Sequence, residues 1–327
     1  MYQVAHVDAK TVAEATAALA KGKAMAIAGG TDLIPYLKGM FSPIAPETIV
    51  NLKTIPNMAY IREEGGVLKV GALTTLTAIA NNATVKSNYT ALAQAAKSVA
   101  APELRNMGTI GGNICQTVRC AYYRNEYNDF PCLRKTQGAL CFALTGYNRK
   151  YHSVFGASSG CVAVCPSDIA IALVAMNAKI VTSTPRTINA ADFFTAKVAP
   201  AGEGINTLKA GEIVTEIQVP TLAAGTKSTY LKFAFRKAID FAVVSVAAVA
   251  TVSGGNASNA SIVLGGVYNT PRRAEAAQTS INGKALNAAN AAAAGDAAAT
   301  GAVTLSQNQY KVQIVKTLVK RALLALA

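Results

Sequence analysis

The first two thirds of the chain alternate short apolar runs with helical repeats, and the last third turns to long β-branched runs. Thr11-Val12-Ala13-Glu14 forms a capping box and opens a helix, because a threonine hydroxyl and a glutamate three residues on satisfy free amides at a helix start. Residues 24–28 read as a short apolar strand, and Gly29-Gly30-Thr31 turns the chain toward Asp32-Leu33-Ile34. A second unit of the same kind follows. It has a strand at 67–70, the segment 71–76 entering a helix, another helix near 89–100, and then Thr109-Ile110-Gly111-Gly112-Asn113. Pro166-Ser167-Asp168 caps a helix over 169–176, and a strand at 179–182 returns to the core. The runs at 230–235, 241–252 and 260–267 predict an antiparallel sheet. An Ala-rich helix and turn over 285–302 and an amphipathic helix over 307–324 close the chain. The expected fold is α+β: two α/β subdomains, then a C-terminal α+β domain with a small antiparallel sheet.

Composition bounds the function. With 327 residues, 51% apolar and 15% charged, the chain is globular and long enough for two domains. The strongest apolar run, 241–252, is too short to span a bilayer and reads as a buried strand, so no membrane partner is expected. The formal net charge of +14 is scattered rather than gathered in a stripe, and no nucleic-acid module accompanies it. No basic, apolar signal segment occupies 1–6, which gives a cytoplasmic expectation, with export on a signal-bearing partner left open.

All six cysteines fall between 115 and 165, at 115, 120, 132, 141, 161 and 165. No C-x-x-C pair occurs, which places structural zinc second, and disulfides would need an oxidising compartment. Four thiolates on a wrapping loop suffice for an iron–sulfur cluster. The two double glycines, at 29–30 and 111–112, each lie where a helix or strand ends. Such turns let a backbone approach a bulky anion and present amides to phosphate oxygens. Neither matches the Rossmann or P-loop pattern.

In order, the chain contains A-G-G-T-D-L, G-A-L-T-T-L, T-I-G-G-N, P-S-D and K-x-x-x-R-x-A-x-D-F-A-x-V-S-V-A, then L-G-G-V and Pro271-Arg272-Arg273. This series resembles the flavin-binding medium subunit of the molybdopterin hydroxylases, the family of xanthine dehydrogenase, aldehyde oxidoreductase and carbon monoxide dehydrogenase. The resemblance implies a PCMH-type FAD domain of the vanillyl-alcohol-oxidase kind over 1–225 and a CO-dehydrogenase flavoprotein C-terminal domain over 226–327. It implies that Ile27, Ala28, Gly29, Gly30, Thr31, Asp32 and Leu33 wrap the FAD pyrophosphate from one side. Thr109, Gly111, Gly112 and Asn113 would wrap it from the other. Asp168 would accept a hydrogen bond from the flavin or ribityl group, Lys232 would lie near the isoalloxazine, and Val214 would pack on the ring. The segment at about 114–165 resembles the insertion that holds a 4Fe-4S cluster in a subset of the family. Cys120, Cys132 and Cys141 match its first three ligands, and Cys161 matches the fourth in the aldehyde-oxidoreductase arrangement. Cys115 and Cys165 are then spare core residues.

The same resemblance implies a relay without a catalytic acid or base of its own: FAD exchanges two electrons or one, and an iron–sulfur cluster one at a time. Electrons would come from 2Fe-2S clusters on a small subunit, and the substrate would react at molybdopterin on a large subunit. Arg119, Arg124, Arg134, Lys135 and Arg149 crowd the cysteine loop, where they would balance a cluster's charge and receive an acidic ferredoxin. An aldehyde-oxidoreductase-like complex is expected, with hydroxybenzoyl-CoA reductase or xanthine dehydrogenase as the alternatives within the family. A zinc-stabilised binding module is the rival from another class.

Overall fold

The computed structural model of the chain describes residues 3–41, 45–198 and 205–327. Met1 and Tyr2, where the segment read for a signal begins, lie outside them. Three strands open the chain, β1 (Ala5–Asp8), β2 (Ala24–Ile27) and β3 (Thr48–Asn51), and form a parallel sheet in the order β1-β3-β2. Helix α1 (Val12–Ala20) crosses from β1 to β2, and α2 (Leu33–Lys38) follows β2. The Thr11 hydroxyl accepts the amide of Glu14 at 3.1 Å, and the Glu14 carboxylate accepts the amide of Lys10 at 2.8 Å. The capping box thus closes one residue before the cap.

The second subdomain is a five-stranded antiparallel sheet built from β4 (Ile61–Glu64), β5 (Val67–Gly71), β6 (Lys179–Thr182), β7 (Thr187–Asn189) and β8 (Val214–Pro220), in the order β4-β5-β8-β6-β7. Its helices are α3 (Leu76–Asn81), α4 (Ala83–Asn88), α5 (Thr90–Ser98), α6 (Pro102–Met107), α7 (Ile110–Cys115), α8 (Asp168–Ala175) and the short α9 (Ala190–Phe193). Every residue of α8 is buried, as expected of a helix apolar on all sides. Ser167, rather than Asp168, caps it, its hydroxyl accepting the amide of Ala170 at 3.0 Å. Asp168 is thereby released from capping and turns to other work.

The C-terminal sheet runs β12-β11-β10-β9, from β9 (Thr226–Phe233), β10 (Val244–Ser253), β11 (Asn256–Gly265) and β12 (Arg272–Arg273), under α10 (Glu275–Ile281), α11 (Ala288–Ala298) and α12 (Tyr310–Leu324). Along β10, Val246, Ala248 and Ala250 enter the core beneath these helices, while Ala247 and Val249 enter the core shared with α5 and α8. Two-sided burial explains why the run shows no alternation in sequence. Each fully buried valine contributes about 1.5–3 kcal/mol. The strand starts at Val244, three residues after the start of the apolar run, and Phe241 lies outside it. Gly265 gives Ile171 of α8 its seat on β11, since a Cβ there would collide with the Ile171 side chain.

Between α7 and α8 the cysteine loop carries only two short 3-10 turns, Glu126–Asn128 and Phe142–Leu144. Isolated bridges pin it, Arg119 to Val164 and His152 to Ala163. The C-terminal domain pins it again: Lys311 Nζ donates to the carbonyls of His152 at 2.8 Å, Lys150 at 3.2 Å and Gly266 at 2.6 Å. Asn308 Nδ2 donates to the Ser153 carbonyl at 2.8 Å, and Asn148 Oδ1 accepts the Gln307 amide at 2.9 Å. Among the described residues, no helix is long and apolar enough to cross a membrane.

Candidate functional site

A cleft of about 270 Å³ runs between the two α/β subdomains and the edge of β9. Residues 28–33 form one wall, Thr109, Gly112 and Asn113 another, and Asp168 and Lys232 the floor. Three of the residues expected there stand elsewhere. Ile27 ends β2 behind the loop, and Gly111 is buried against Ala72, where a Cβ would come within 2.9 Å of its carbonyl oxygen. Val214 is 6% exposed in the core of the five-stranded sheet, where a register shift between β6 and β8 turns it inward out of phase with Ile217 and Val219.

The two glycine walls differ in a way that the sequence did not show. Among the described residues, the amides of Gly29 through Leu33 donate to no protein acceptor, and Gly30 has a φ of +71°, a left-handed conformation that favours glycine. Successive free amides on such a turn form an anion-binding concavity. T-I-G-G-N, read as a turn, is instead the first turn of α7, and its amides are spent. Ile110 donates to the Thr74 carbonyl, Gly111 to Ala72, Gly112 to the Thr109 hydroxyl and Asn113 to the Thr109 carbonyl, at 2.9 to 3.1 Å. A pyrophosphate fits the first wall, while the second supplies shape and the Asn113 and Thr109 side chains. Gly29 also lies against the Met107 carbonyl, leaving no room for a Cβ.

Charges on the cleft are paired. Asp168 accepts Tyr230 Oη at 2.6 Å and Lys232 Nζ at 2.8 Å, and Lys232 also donates to the Ser98 carbonyl at 3.1 Å. Burial together with the Asp168 charge holds the Tyr230 hydroxyl well above its ordinary pKa, so it stays a donor. Asp32 accepts Arg119 Nη2 at 2.6 Å and Arg124 Nη2 at 2.9 Å. Burial alone would raise the Asp32 carboxyl, but the two guanidinium charges and their hydrogen bonds hold it below the usual carboxylate value. Burial and the neighbouring Arg124 pull Arg119 down to about 10, and its guanidinium lies 4.1 Å from the Phe241 ring centre. Arg119 and Phe241, which the motifs did not mark as cleft residues, both line it. Asp32 therefore serves as a brace between the Gly29-Gly30 loop and the cysteine loop.

Beyond that brace lies a small enclosed basin lined by Cys120, Cys132, Cys141 and Cys161, with Tyr122, Tyr123 and Arg134. The four cysteines singled out by sequence are brought together. Burial raises Cys120 to about 12 and also raises Cys132 and Cys141, so as free thiols they are protonated. Cys115 and Cys165 are not in the basin: Cys115 borders the cleft, Cys165 sits in the core, and burial raises both to about 12. Around the basin, Arg134 is 2% and Lys135 5% exposed, and Arg134 Nη1 and Nη2 and Lys135 Nζ meet no hydrogen-bond partner among the described residues. No three His, Cys, Asp or Glu side chains among the described residues converge tightly enough to hold a single metal ion.

The model of the FAD binding domain in molybdopterin dehydrogenase matches residues 2–222, and that of the CO dehydrogenase flavoprotein C-terminal domain matches 229–326. The chain belongs to the FAD-binding subunits of the molybdenum hydroxylases, a family of oxidoreductases. It is 33% identical over 300 residues to the aldehyde oxidoreductase FAD-binding subunit PaoB of Escherichia coli, covering 89% of this chain and 87% of that one. It is 31% identical over 320 residues to the carbon monoxide dehydrogenase medium chain of Hydrogenophaga pseudoflava, covering 96% and 93%. The solved carbon monoxide dehydrogenase of that organism, in a form lacking the Mo-pyranopterin moiety, superposes with a TM-score of 0.75 at 29% identity, covering 98% of this chain and 96% of that one. Family and fold agree with the expectation from sequence, and membership displaces the zinc-module reading.

Proposed function

We propose that the chain is the electron-transfer subunit of a molybdenum hydroxylase complex, carrying FAD in the cleft and a 4Fe-4S cluster in the basin. Its flavin domain spans 1–225 and its second domain 226–327. The observation that carries this reading is the basin itself, where four thiols share one enclosure with buried cations that lack counter-charges. An unpaired buried charge costs on the order of 3–5 kcal/mol. A thiolate-ligated cluster is anionic and matches that deficit, whereas four neutral thiols do not.

When bound, FAD supplies two-electron and one-electron chemistry and the cluster a one-electron site. The protein's own residues do the rest. Gly29 through Leu33 would offer amides to the pyrophosphate, while the side chains of Thr109 and Asn113 close the opposite side. Tyr230 and Lys232 fix the Asp168 carboxylate at the floor of the cleft. Arg119, one residue before Cys120, ties the basin to Asp32 and keeps the two sites adjacent. No acid or base is needed for such a relay.

The complex would also contain a molybdopterin-binding large subunit and a 2Fe-2S small subunit, as the medium-chain relatives suggest. An aldehyde is the favoured substrate class, from the likeness to PaoB, and an acidic ferredoxin is the proposed external carrier. The complex is proposed to act in the cytoplasm. Metal analysis with an absorption spectrum tests the reading. Iron with a flavin spectrum is the expected result, and zinc in a colourless protein overturns it.

A further inference from the structure

Two buried side chains do more than surround the basin. Arg134 Nε donates to Cys161 Sγ at 3.1 Å, and His152 Nε2 lies 3.4 Å from Cys120 Sγ. His152 is fully buried, and its placement is set from outside the loop. Its carbonyl accepts Lys311 Nζ of α12, and its backbone is bridged to Ala163. The two contacts fall on different cysteines, Cys120 near the start of the loop and Cys161 near its end.

Resting on the proposed cluster, we propose that Arg134 and His152 are positioning residues that hydrogen-bond two of its four ligand thiolates and thereby raise its reduction potential. With a thiolate on Cys120 as acceptor, His152 carries its proton on Nε2. A donor to a ligand sulfur draws charge away from the metal, and it stabilises the reduced cluster more than the oxidised one because the reduced form carries more negative charge. The fixed charge of Arg134 acts in the same direction, and its burial leaves that charge poorly screened. Lys135, with its ammonium 5.7 Å from the Tyr123 ring centre, adds charge to the basin but makes no hydrogen bond to sulfur. The cluster is thus set as an electron acceptor for the flavin by the donors to Cys120 and Cys161, with Cys132 and Cys141 lacking a side-chain donor among the described residues.

The test is a redox titration of the purified complex followed by electron paramagnetic resonance, with iron and FAD content measured first. Wild type is compared with Arg134→Met and His152→Phe, and with the donor-keeping variants Arg134→Lys and His152→Gln. Iron missing from the wild-type complex defeats the cluster reading itself. With iron present, Arg134→Met and His152→Phe should each retain it and shift the midpoint downward. The expected fall in the reduced-to-oxidised ratio at the wild-type midpoint is about tenfold, ~59 mV for a one-electron couple. His152→Gln should recover part of the shift, and resonance Raman Fe–S(Cys) stretches should rise where the donor is lost. Unmoved potentials and stretches in variants that keep iron overturn the proposal. If Arg134→Met loses iron, His152→Phe is judged by the same criterion, while Arg134→Lys should keep iron and stay near the wild-type midpoint. Loss of iron from all four variants also overturns it, since that outcome marks a structural role alone.

Discussion

The cleft and the cysteine basin lie on either side of the Asp32 brace and manage charge in opposite ways. In the cleft every strong charge has its partner: Asp168 with Lys232, Asp32 with Arg119 and Arg124. What it leaves unmet is a row of backbone amides, Gly29 through Leu33, open to solvent and to an anion. In the basin the backbone is largely engaged, and what is unmet is whole charges on buried side chains, Arg134 and Lys135. Free amides facing water cost little, so the cleft can stand empty. Buried cations without counter-charges cost several kcal/mol, a deficit that the proposed anionic cluster, arriving during folding, would relieve. The two sites should therefore fail independently and differ in what their loss does to the fold.

The largest effect expected is a double dissociation. Cys132→Ser should remove iron and lower thermal stability while FAD remains stoichiometric, because serine cannot replace a thiolate ligand and the basin then collapses around unpaired cations. Gly30→Val should release FAD and leave iron in place, since a β-branched side chain is strained at φ +71° and its Cβ would press on Ile34. Iron and flavin assays on each purified variant settle it. Joint loss of both cofactors in both variants would break the comparison.

A middle-sized effect should appear where the sites meet. Asp32→Asn removes the charge that two partly buried guanidinium groups share, and breaking such a pair costs on the order of 3 kcal/mol or somewhat less at this exposure. The sign with pH follows from the lowered Asp32 carboxyl. Its contribution is fully present above the unfolded carboxylate value of about 4 and is lost as pH falls through the lower folded value. Wild-type stability and FAD retention should therefore fall together below about pH 4. In Asp32→Asn this step should be missing, as followed by flavin fluorescence and thermal melts. An unchanged acid limb would remove Asp32 from its role as brace.

Sequence carried the scaffold further than it carried the contacts. The strand at 179–182, the caps at Thr11 and Ser167 and the antiparallel C-terminal sheet follow from local pattern, since each depends on residues a few positions apart. The start of β10 was less legible: Phe241 opens the apolar run but lies outside the strand, over Arg119. T-I-G-G-N reads as a turn because glycine is rare in helices. Glycine is kept in that helix because Gly111 passes close to Ala72, a demand made by the turn after β5 some forty residues away. The cysteine loop has no period at all. Its shape comes from Asn148, Asn308 and Lys311, contacts spanning more than 150 residues for which no local spacing exists.

Lys311 sharpens the comparison by the smallest effect, because it is a buried cation near the basin that does have partners. Three carbonyls, of Lys150, His152 and Gly266, take its three protons. Burial nevertheless pulls the ammonium down to about 7. With the folded value below the unfolded one of about 10.4, the unfolded chain binds more protons between them, so stability rises with pH from about 7 to 10 at up to about 1.4 kcal/mol per unit. Lys311→Met removes this slope together with the hydrogen bonds. At neutral pH the loss of three carbonyl partners is offset by release of the desolvation burden, leaving a net cost of about 1–2 kcal/mol. Urea melts at pH 7 and pH 9 separate the two contributions. A variant that keeps the wild-type slope would show that some other group titrates, and that the tie between α12 and the cysteine loop holds without its charge.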